Sequence, residues 1–149
     1  LTSHRRSLYF THHGEARMPF LEIFDAPDAC DAYKRSSSVV PQQALALVNN
    51  EMVLDLSRGL SERLWAEAER TGAGDDAFII AAFEQVLSRR PSATERELSC
   101  RFLAKQAEII AKAKPSDSPK NGSLTDPEAR ARRDFVHALF SHNDFVTIH

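Results

Sequence analysis

Apolar residues recur every three to four positions along much of the chain, the spacing that places them on one face of an α-helix. The longest such stretch runs from Glu51 to about Arg70, with arginine and glutamate between its apolar residues. Those apolar positions are Val53, Leu56, Leu60 and Leu64. Thr71-Gly72-Ala73-Gly74 follows, and because glycine adopts the left-handed backbone that ends helices, this segment is predicted to stop the helix.

Two shorter patterns precede this long stretch. A brief helix is predicted to begin at Pro19, with Phe20, Ile23 and Phe24 on one face. Residues 25–40 are predicted to form a loop, after which Pro41 opens another helix. The apolar stripe of that helix consists of Ala44, Leu45 and Val48, and the Asn49-Asn50 pair is predicted to cap the long helix that comes next.

Three helices are predicted after the long one from their boundary residues. Asp75 or Asp76 is predicted to cap the first, which ends at Arg89-Arg90-Pro91. Thr94 followed by Glu97 fits a capping box and starts a helix that runs to about Ala113. Asp126-Pro127-Glu128 combines a cap, a proline and a first-turn carboxylate, so it starts the last helix, which ends at Asn143-Asp144.

Segments without helical spacing lie near both ends and before the last helix. Residues 5–11 and 145–148 are predicted to be extended, and residues 114–126, almost all polar, Gly or Pro, are predicted to form a flexible loop. The sequence therefore predicts an all-α fold. We expect an irregular bundle of about five to six helices, with short extended segments near both ends, in one domain over residues 1–149.

The predicted helix faces define one shared core. The residues expected to meet in it are Phe20, Phe24, Leu45, Leu60, Phe83, Phe102, Phe135 and Leu139. From the helix after Pro91, the side chains of Leu98, Ile109 and Ile110 are also predicted to face inward.

Composition excludes several classes of partner. Nineteen Lys and Arg against 21 Asp and Glu give a net charge of −2, so no basic stripe is available for nucleic acid or an anionic membrane. No apolar run approaches the roughly 20 residues that span a bilayer, so membrane insertion is not expected. With 42% hydrophobic residues the chain has enough material for a core without disulfide or metal support.

Sequence motifs of catalysis and cofactor attachment are missing. There is no Cys-x-x-Cys-His haem attachment sequence, Gly-x-Ser-x-Gly elbow, His-Glu-x-x-His, phosphate loop or dinucleotide fingerprint. Cys30 and Cys100 are too few for a disulfide framework, and they are predicted not to be bonded to each other. We therefore expect no cofactor in this chain, and a binding or structural role is favoured over an enzymatic one.

The densest group of polar residues lies between positions 25 and 49. Its candidate ligand-binding residues are Asp25, Asp28, Arg35, Ser38, Gln42, Gln43 and Asn49, with Lys34 beside them. Carboxylates, a guanidinium and amides near a helix N-terminus could orient an anionic or hydroxyl-rich ligand. The simpler interpretation is that Arg35 pairs with Asp25 or Asp28 and that the other side chains satisfy the backbone of the loop.

Histidines offer a second candidate site, for a metal ion. His4, His12 and His13 with Glu15 have suitable ligand chemistry for zinc, but adjacent histidines point to opposite sides of an extended chain. No metal site is therefore predicted.

Four segments resemble a known family. They are Arg5-Arg6-Ser7-Leu8-Tyr9-Phe10, Phe20-Leu21-Glu22-Ile23-Phe24-Asp25, Val40-Pro41-Gln42-Gln43-Ala44-Leu45-Ala46-Leu47-Val48-Asn49, and the tail from Phe135 to Phe145. They resemble the C-terminal domain of unknown function of large exported planctomycete proteins, the planctomycete cytochrome c-associated family. One departure is that Cys30 lies earlier than the cysteine of many members, where this chain has Ala32.

The resemblance implies an exported, multidomain protein with a cytochrome c-like domain upstream. An extracytoplasmic location follows, with any haem in the upstream part, and the start at Leu1 without methionine suggests a fragment of such a chain. We expect a non-catalytic structural or interaction module whose partner is its own upstream domains. The alternative is a ligand-binding or hydrolytic domain that acts on extracellular polysaccharide through the polar residues at 25–49.

Overall fold

The computed structural model describes residue 23 and residues 40–112 and 126–146. In these residues the chain forms six helices and no strand, so the predicted all-α fold is confirmed. The helices are α1 (Val40–Asn49), α2 (Glu51–Thr71), α3 (Gly74–Leu87), α4 (Ala93–Lys112), α5 (Pro127–Phe140) and α6 (Asn143–Val146). None of these six is both long and apolar enough to cross a membrane.

Three helix boundaries confirm the prediction. The side chain of Asn50 caps α2 by accepting a hydrogen bond of 2.9 Å from the backbone N–H of Met52. At the other end of α2, Gly72 adopts the left-handed backbone with φ of 71°, which a residue with a side chain adopts only at a cost. The carboxylate of Asp126 caps α5 by accepting from the backbone N–H groups of Glu128 and Ala129.

The boundaries of α3 differ from the prediction. The helix begins at Gly74 after Ala73, without a side-chain cap, so Asp75 and Asp76 lie in its first turn. There the two carboxylates still favour the helix, because its N-terminus carries a partial positive charge. The helix ends at Leu87, earlier than Arg89-Arg90-Pro91, and Ser88 follows with φ of 57°.

The capping box of α4 lies two residues earlier than predicted. The backbone N–H of Glu95 donates to Ser92 Oγ at 3.3 Å, and the backbone N–H of Ser92 donates to Glu95 Oε2 at 2.7 Å. Both Ser92-x-x-Glu95 and Thr94-x-x-Glu97 fit the sequence rule. Ser92 takes the cap, since its carbonyl accepts the first helical hydrogen bond, from the N–H of Arg96 at 2.9 Å.

The core lies between α2, α3, α4 and α5. Phe78, Ile79 and Ala82 of α3 and Val136 of α5 have no exposed surface. The ring of Phe135 lies at the centre, with its centroid 6.1 Å from Phe78, 6.3 Å from Phe83 and 6.0 Å from Phe102. Of the predicted core residues, Phe83, Phe135 and Leu139 are buried and Leu60 packs against them.

Several predicted core residues are exposed instead. Leu45 is 63% exposed because α1 packs through Leu47, which lies on the opposite side of that helix. On α4, Leu98 and Ile109 are 57% and 51% exposed. Phe102 is partly exposed as well, and its ring packs against Phe135 at the edge of the core. The inward residues of α4 are Ser99, Leu103, Ala107 and Ile110. Phe20 and Phe24 lie outside the described residues.

Residues 143–146, after α5, are helical rather than extended. Phe145 and Val146 belong to the short helix α6, whose turn is closed by a hydrogen bond from the N–H of Phe145 to the carbonyl of His142 at 2.9 Å. The ring of Phe145 packs edge-on against Phe140 at 5.1 Å, so this apolar contact folds the tail back onto α5. The predicted extended segment 5–11 and the loop at 114–125 lie outside the described residues.

Candidate functional site

The predicted polar cluster is described only in part. Gln42 is exposed on α1, whereas Gln43 is buried and its Nε2 donates to the carbonyl of Ile23 at 3.2 Å. Asn49 Nδ2 donates to the carbonyl of Leu45, one turn back in the same helix, at 3.1 Å. The other proposed ligands, Asp25, Asp28, Arg35 and Ser38, lie outside the described residues, as do Lys34 and Cys30.

An open groove of about 1180 Å³ runs along the N-terminal half of α2. Its apolar lining comes from α2, the end of α3, the end of α5 and α6, and consists of Met52, Leu56, Leu60, Val86, Phe140 and Phe145. Charged residues of α2 alternate with these, namely Glu51, Asp55, Arg58 and Arg63. An apolar floor beside charges of both signs suits a peptide or a helix rather than a single small ion.

Gly59 leaves open space in the lining of this groove. It lies on the groove side of α2, and a Cβ placed on it would meet no atom within 4 Å. The residue has no backbone need for glycine, since it lies in the interior of a helix, where alanine is more favourable. Its effect on the surface is therefore to leave space.

Arg89 holds α6, one wall of the groove, against the rest of the bundle. Its Nε donates to Asp144 Oδ2 at 2.8 Å, and its two terminal nitrogens donate to both carboxylate oxygens of Glu95 at 2.7 and 3.1 Å. The guanidinium also lies 5.5 Å from the ring centre of Phe83. The side chain of Arg89 thus joins three parts of the fold, namely the α3–α4 connection in which it lies, the first turn of α4, and helix α6.

The electrostatics of this network favour the charged forms. The hydrogen bonds from Arg89, and then that from the backbone N–H of Ser92, lower the pKa of Glu95 to about 2. The same pair raises the pKa of Arg89, with a further contribution from Asp144. Glu95 is therefore ionised throughout the physiological range and is a poor proton acceptor.

A second arginine, Arg132, joins the starts of α3 and α5 to α2. Its side chain is only 8% exposed, and its guanidinium lies 3.7 Å from the ring centre of Trp65. Three carboxylates lie near it, with N···O distances of 3.8 Å to Asp75, 3.6 Å to Asp126 and 3.7 Å to Glu128. Because this buried charge lies against an aromatic ring and among three acids, it is compensated, and its role is structural.

Comparison with known proteins places the chain in a family. The family described as PSD1, protein of unknown function (DUF1553), matches residues 2–103. The chain belongs to the DUF1553 family. No curated protein and no solved structure matches it significantly. The DUF1553 match includes α1, α2, α3 and the first half of α4, and therefore the part of α2 that forms the groove floor.

The described part of this DUF1553 chain has no group of three His, Cys, Asp or Glu residues placed to hold a metal ion. The candidate ligands His4, His12, His13 and Glu15 lie outside it. Cys100 is an exposed free thiol on α4. His137 lies with Nε2 3.4 Å from the carbonyl of Leu47, where it joins α5 to α1.

The groove and the Arg89 network were not predicted from the DUF1553 sequence. Arg89 and Asp144 each lie at a predicted helix end, and no sequence pattern connects them because they lie 55 residues apart. The available signal was the second capping box, Ser92-x-x-Glu95, directly after Pro91. A capping box at this position holds the carboxylate of Glu95 close to Arg89 and Arg90.

Proposed function

We propose that this chain is a non-catalytic interaction module at the C-terminus of an exported, multidomain, cytochrome c-associated protein, and that its groove binds an upstream part of the same protein. The observation that carries the proposal is the open apolar groove between α2, α3, α5 and α6, with its wall fixed by Arg89. The exported, extracytoplasmic setting and an upstream haem are supported by the family resemblance of the sequence. The DUF1553 match supports the family itself.

The Arg89–Glu95 pair has a structural rather than a catalytic role. A general acid or base works best with a pKa near the operating pH. In the described residues the two groups with clearly shifted pKa values, Arg89 and Glu95, are bonded to each other and shifted away from neutrality. They stabilise the joint between α4 and α6.

The test measures binding between the 149-residue chain and the separately produced upstream portion of the same polypeptide by calorimetry. Leu56→Asp places a charge on the groove floor at a position that is already half exposed, so the fold should remain intact. Leu45→Asp is the matched control, since Leu45 is more exposed still and lies on α1 outside the groove lining. We expect Leu56→Asp to weaken binding at least tenfold and Leu45→Asp to leave it unchanged.

Gly59→Leu adds a second test that does not introduce charge. The leucine side chain would enter the open groove without meeting another atom near its Cβ, so it should block an occupant while leaving the helix folded. No binding by the unchanged chain, or equal binding by all variants, would refute the groove as the interaction site.

The alternative function is ligand binding or hydrolysis of extracellular polysaccharide through Asp25, Asp28, Arg35, Ser38, Gln42, Gln43 and Asn49. The hydrogen bond from Gln43 to the carbonyl of Ile23 favours it, because it holds Ile23, two residues before Asp25 in the sequence, against α1. Arg35→Lys should then abolish binding of a soluble glycan series while thermal stability barely changes. Lower stability with no glycan binding in either form would support a structural role for Arg35 instead.

A further inference from the structure

Helix α4 carries a stripe of three apolar residues and one lysine on its outer side. Leu98, Phe102, Lys105 and Ile109 follow one another at spacings of four, three and four residues, and all four are exposed. The face that packs into the bundle is separate and consists of Ser99, Leu103, Ala107 and Ile110. At 100° per residue the two faces are about a third of a turn apart.

The alternating spacing of the stripe is that of a coiled-coil core. When two identical helices pair in antiparallel fashion about a twofold axis, each core residue faces a different residue of the other helix. Here Leu98 would face Ile109 of the second copy, and Phe102 would face Lys105 of the second copy. The lysine stem then covers the phenylalanine, and its ammonium can lie over the ring.

Charges beside the stripe fit the same arrangement. Arg101 and Glu108 lie seven residues apart on one edge of the stripe, and both are exposed. The antiparallel register places Arg101 beside Glu108 of the second copy, and symmetry makes this pair twice. Within one copy Arg101 pairs with Glu97, and Glu108 pairs with Lys112. Exposed ion pairs of this kind are weak and can exchange partners.

A parallel arrangement fits poorly, because it would place Lys105 against Lys105 of the second copy and repel. We propose that α4 is the interface of an antiparallel homodimer of this chain, with these two charge pairs fixing the register. The facing pairs form four layers from Leu98 to Ile109, which span about 17 Å of helix. The contact is therefore small and the dimer weak, with a dissociation constant in the micromolar to millimolar range.

The experiment is sedimentation velocity on the 149-residue chain between about 10 µM and about 1 mM. We expect the mean mass to rise from monomer towards dimer with concentration. Arg101→Glu places two negative charges together in each of the two interhelical pairs, and Glu108→Arg places two positive charges together there. Each variant alone should be monomeric throughout this range.

Mixing the two variants provides the decisive measurement. In a mixed dimer Glu at 101 meets Arg at 108, and Arg101 meets Glu108, so both pairs attract again and the dimer should return. Arg70→Glu is the matched control, an arginine of equal exposure with an acidic neighbour on α2, and it should dimerise like the unchanged chain. Far-ultraviolet circular dichroism checks that every variant is folded.

Several results would overturn the proposal. They are a chain that stays monomeric at every concentration, a dimer that survives in both single variants, a mixture that stays monomeric, and loss of the dimer in Arg70→Glu. The groove is lined by residues of α2, α3, α5 and α6 and by none of α4. A negative dimerisation experiment therefore does not contradict the proposed function, and a negative groove experiment does not contradict the dimer.

Discussion

The ion pair between Glu95 and Arg89, which connects α4 to α6, leads to a quantitative prediction for the substitution Glu95→Gln. Glutamine keeps the size of the side chain and an oxygen that can accept from the N–H of Ser92, but it loses the charge that pairs with Arg89. The substitution therefore removes the ion pair while leaving most of the capping box. We expect the variant to fold and to be less stable near neutral pH.

The magnitude follows from the pKa of Glu95. A folded-state pKa of about 2 against an ordinary value of 4.5 sets a ceiling of about 3 kcal/mol, because a tenfold change in proton affinity is worth about 1.4 kcal/mol. Solvent lowers this value, since the side chains of Glu95 and Arg89 are 30% and 37% exposed. We expect a loss of about 1 kcal/mol in the free energy of unfolding.

The same argument fixes the pH dependence. Because folding lowers the pKa of Glu95, its contribution to stability is complete above 4.5 and is lost as the pH falls towards 2. Urea unfolding of both proteins should therefore show a difference of about 1 kcal/mol near pH 7 that shrinks steadily below about pH 4.5.

Glu97→Gln is the control for this prediction. Glu97 lies on the same helix and pairs with Arg101, but its side chain is mostly exposed. Its substitution should change stability by less than about 0.5 kcal/mol. Equal stability of Glu95→Gln and the unchanged chain at neutral pH, or a difference that stays constant down to the acid limit, would refute the reasoning.

Three further substitutions test other parts of the structure. Gly59→Ala should raise the free energy of unfolding by about 1 kcal/mol in urea titrations, because it favours α2 and meets no atom, and a decrease would contradict this. Phe135→Ala should cost roughly 3 to 5 kcal/mol in the same titration, since three rings surround Phe135, and a cost near zero would show that it is not central. Arg132→Leu should shift the emission of Trp65, the single tryptophan, because the cation over its ring is removed, and an unchanged spectrum would contradict the contact.

Local signals in the sequence were sufficient for most helix boundaries. Asn50, Gly72 and Asp126 act where the sequence predicted because a cap satisfies backbone groups within three residues of itself. The error at α4 is also local: two overlapping capping boxes fit the rule, and the rule itself does not distinguish them. Such signals determine where helices begin, not how they pack.

Contacts between distant residues could not be predicted in this way. Arg89 meets Asp144 across 55 residues, and no pattern along the chain marks the pair. The prediction of an extended tail failed for the same reason, since α6 is helical where Phe145 packs against Phe140 and Asp144 is held by Arg89. The groove depends on both contacts, and so its existence was not evident from the sequence.

The rotation of α4 shows how polar contacts decide what apolar spacing leaves open. Apolar residues occupy more than half of the circumference of this helix, so either Leu98 and Ile109 or Leu103 and Ile110 could face the core. Arg96 pairs with Asp76 of α3 at 2.7 Å, and Gln106 donates to Asp134 of α5 at 3.1 Å. Arg96 and Gln106 lie on the two sides of the face that contains Leu103, so the two contacts together turn that face inward. The stripe with Leu98 and Ile109 is then left outside, where a second copy can cover it.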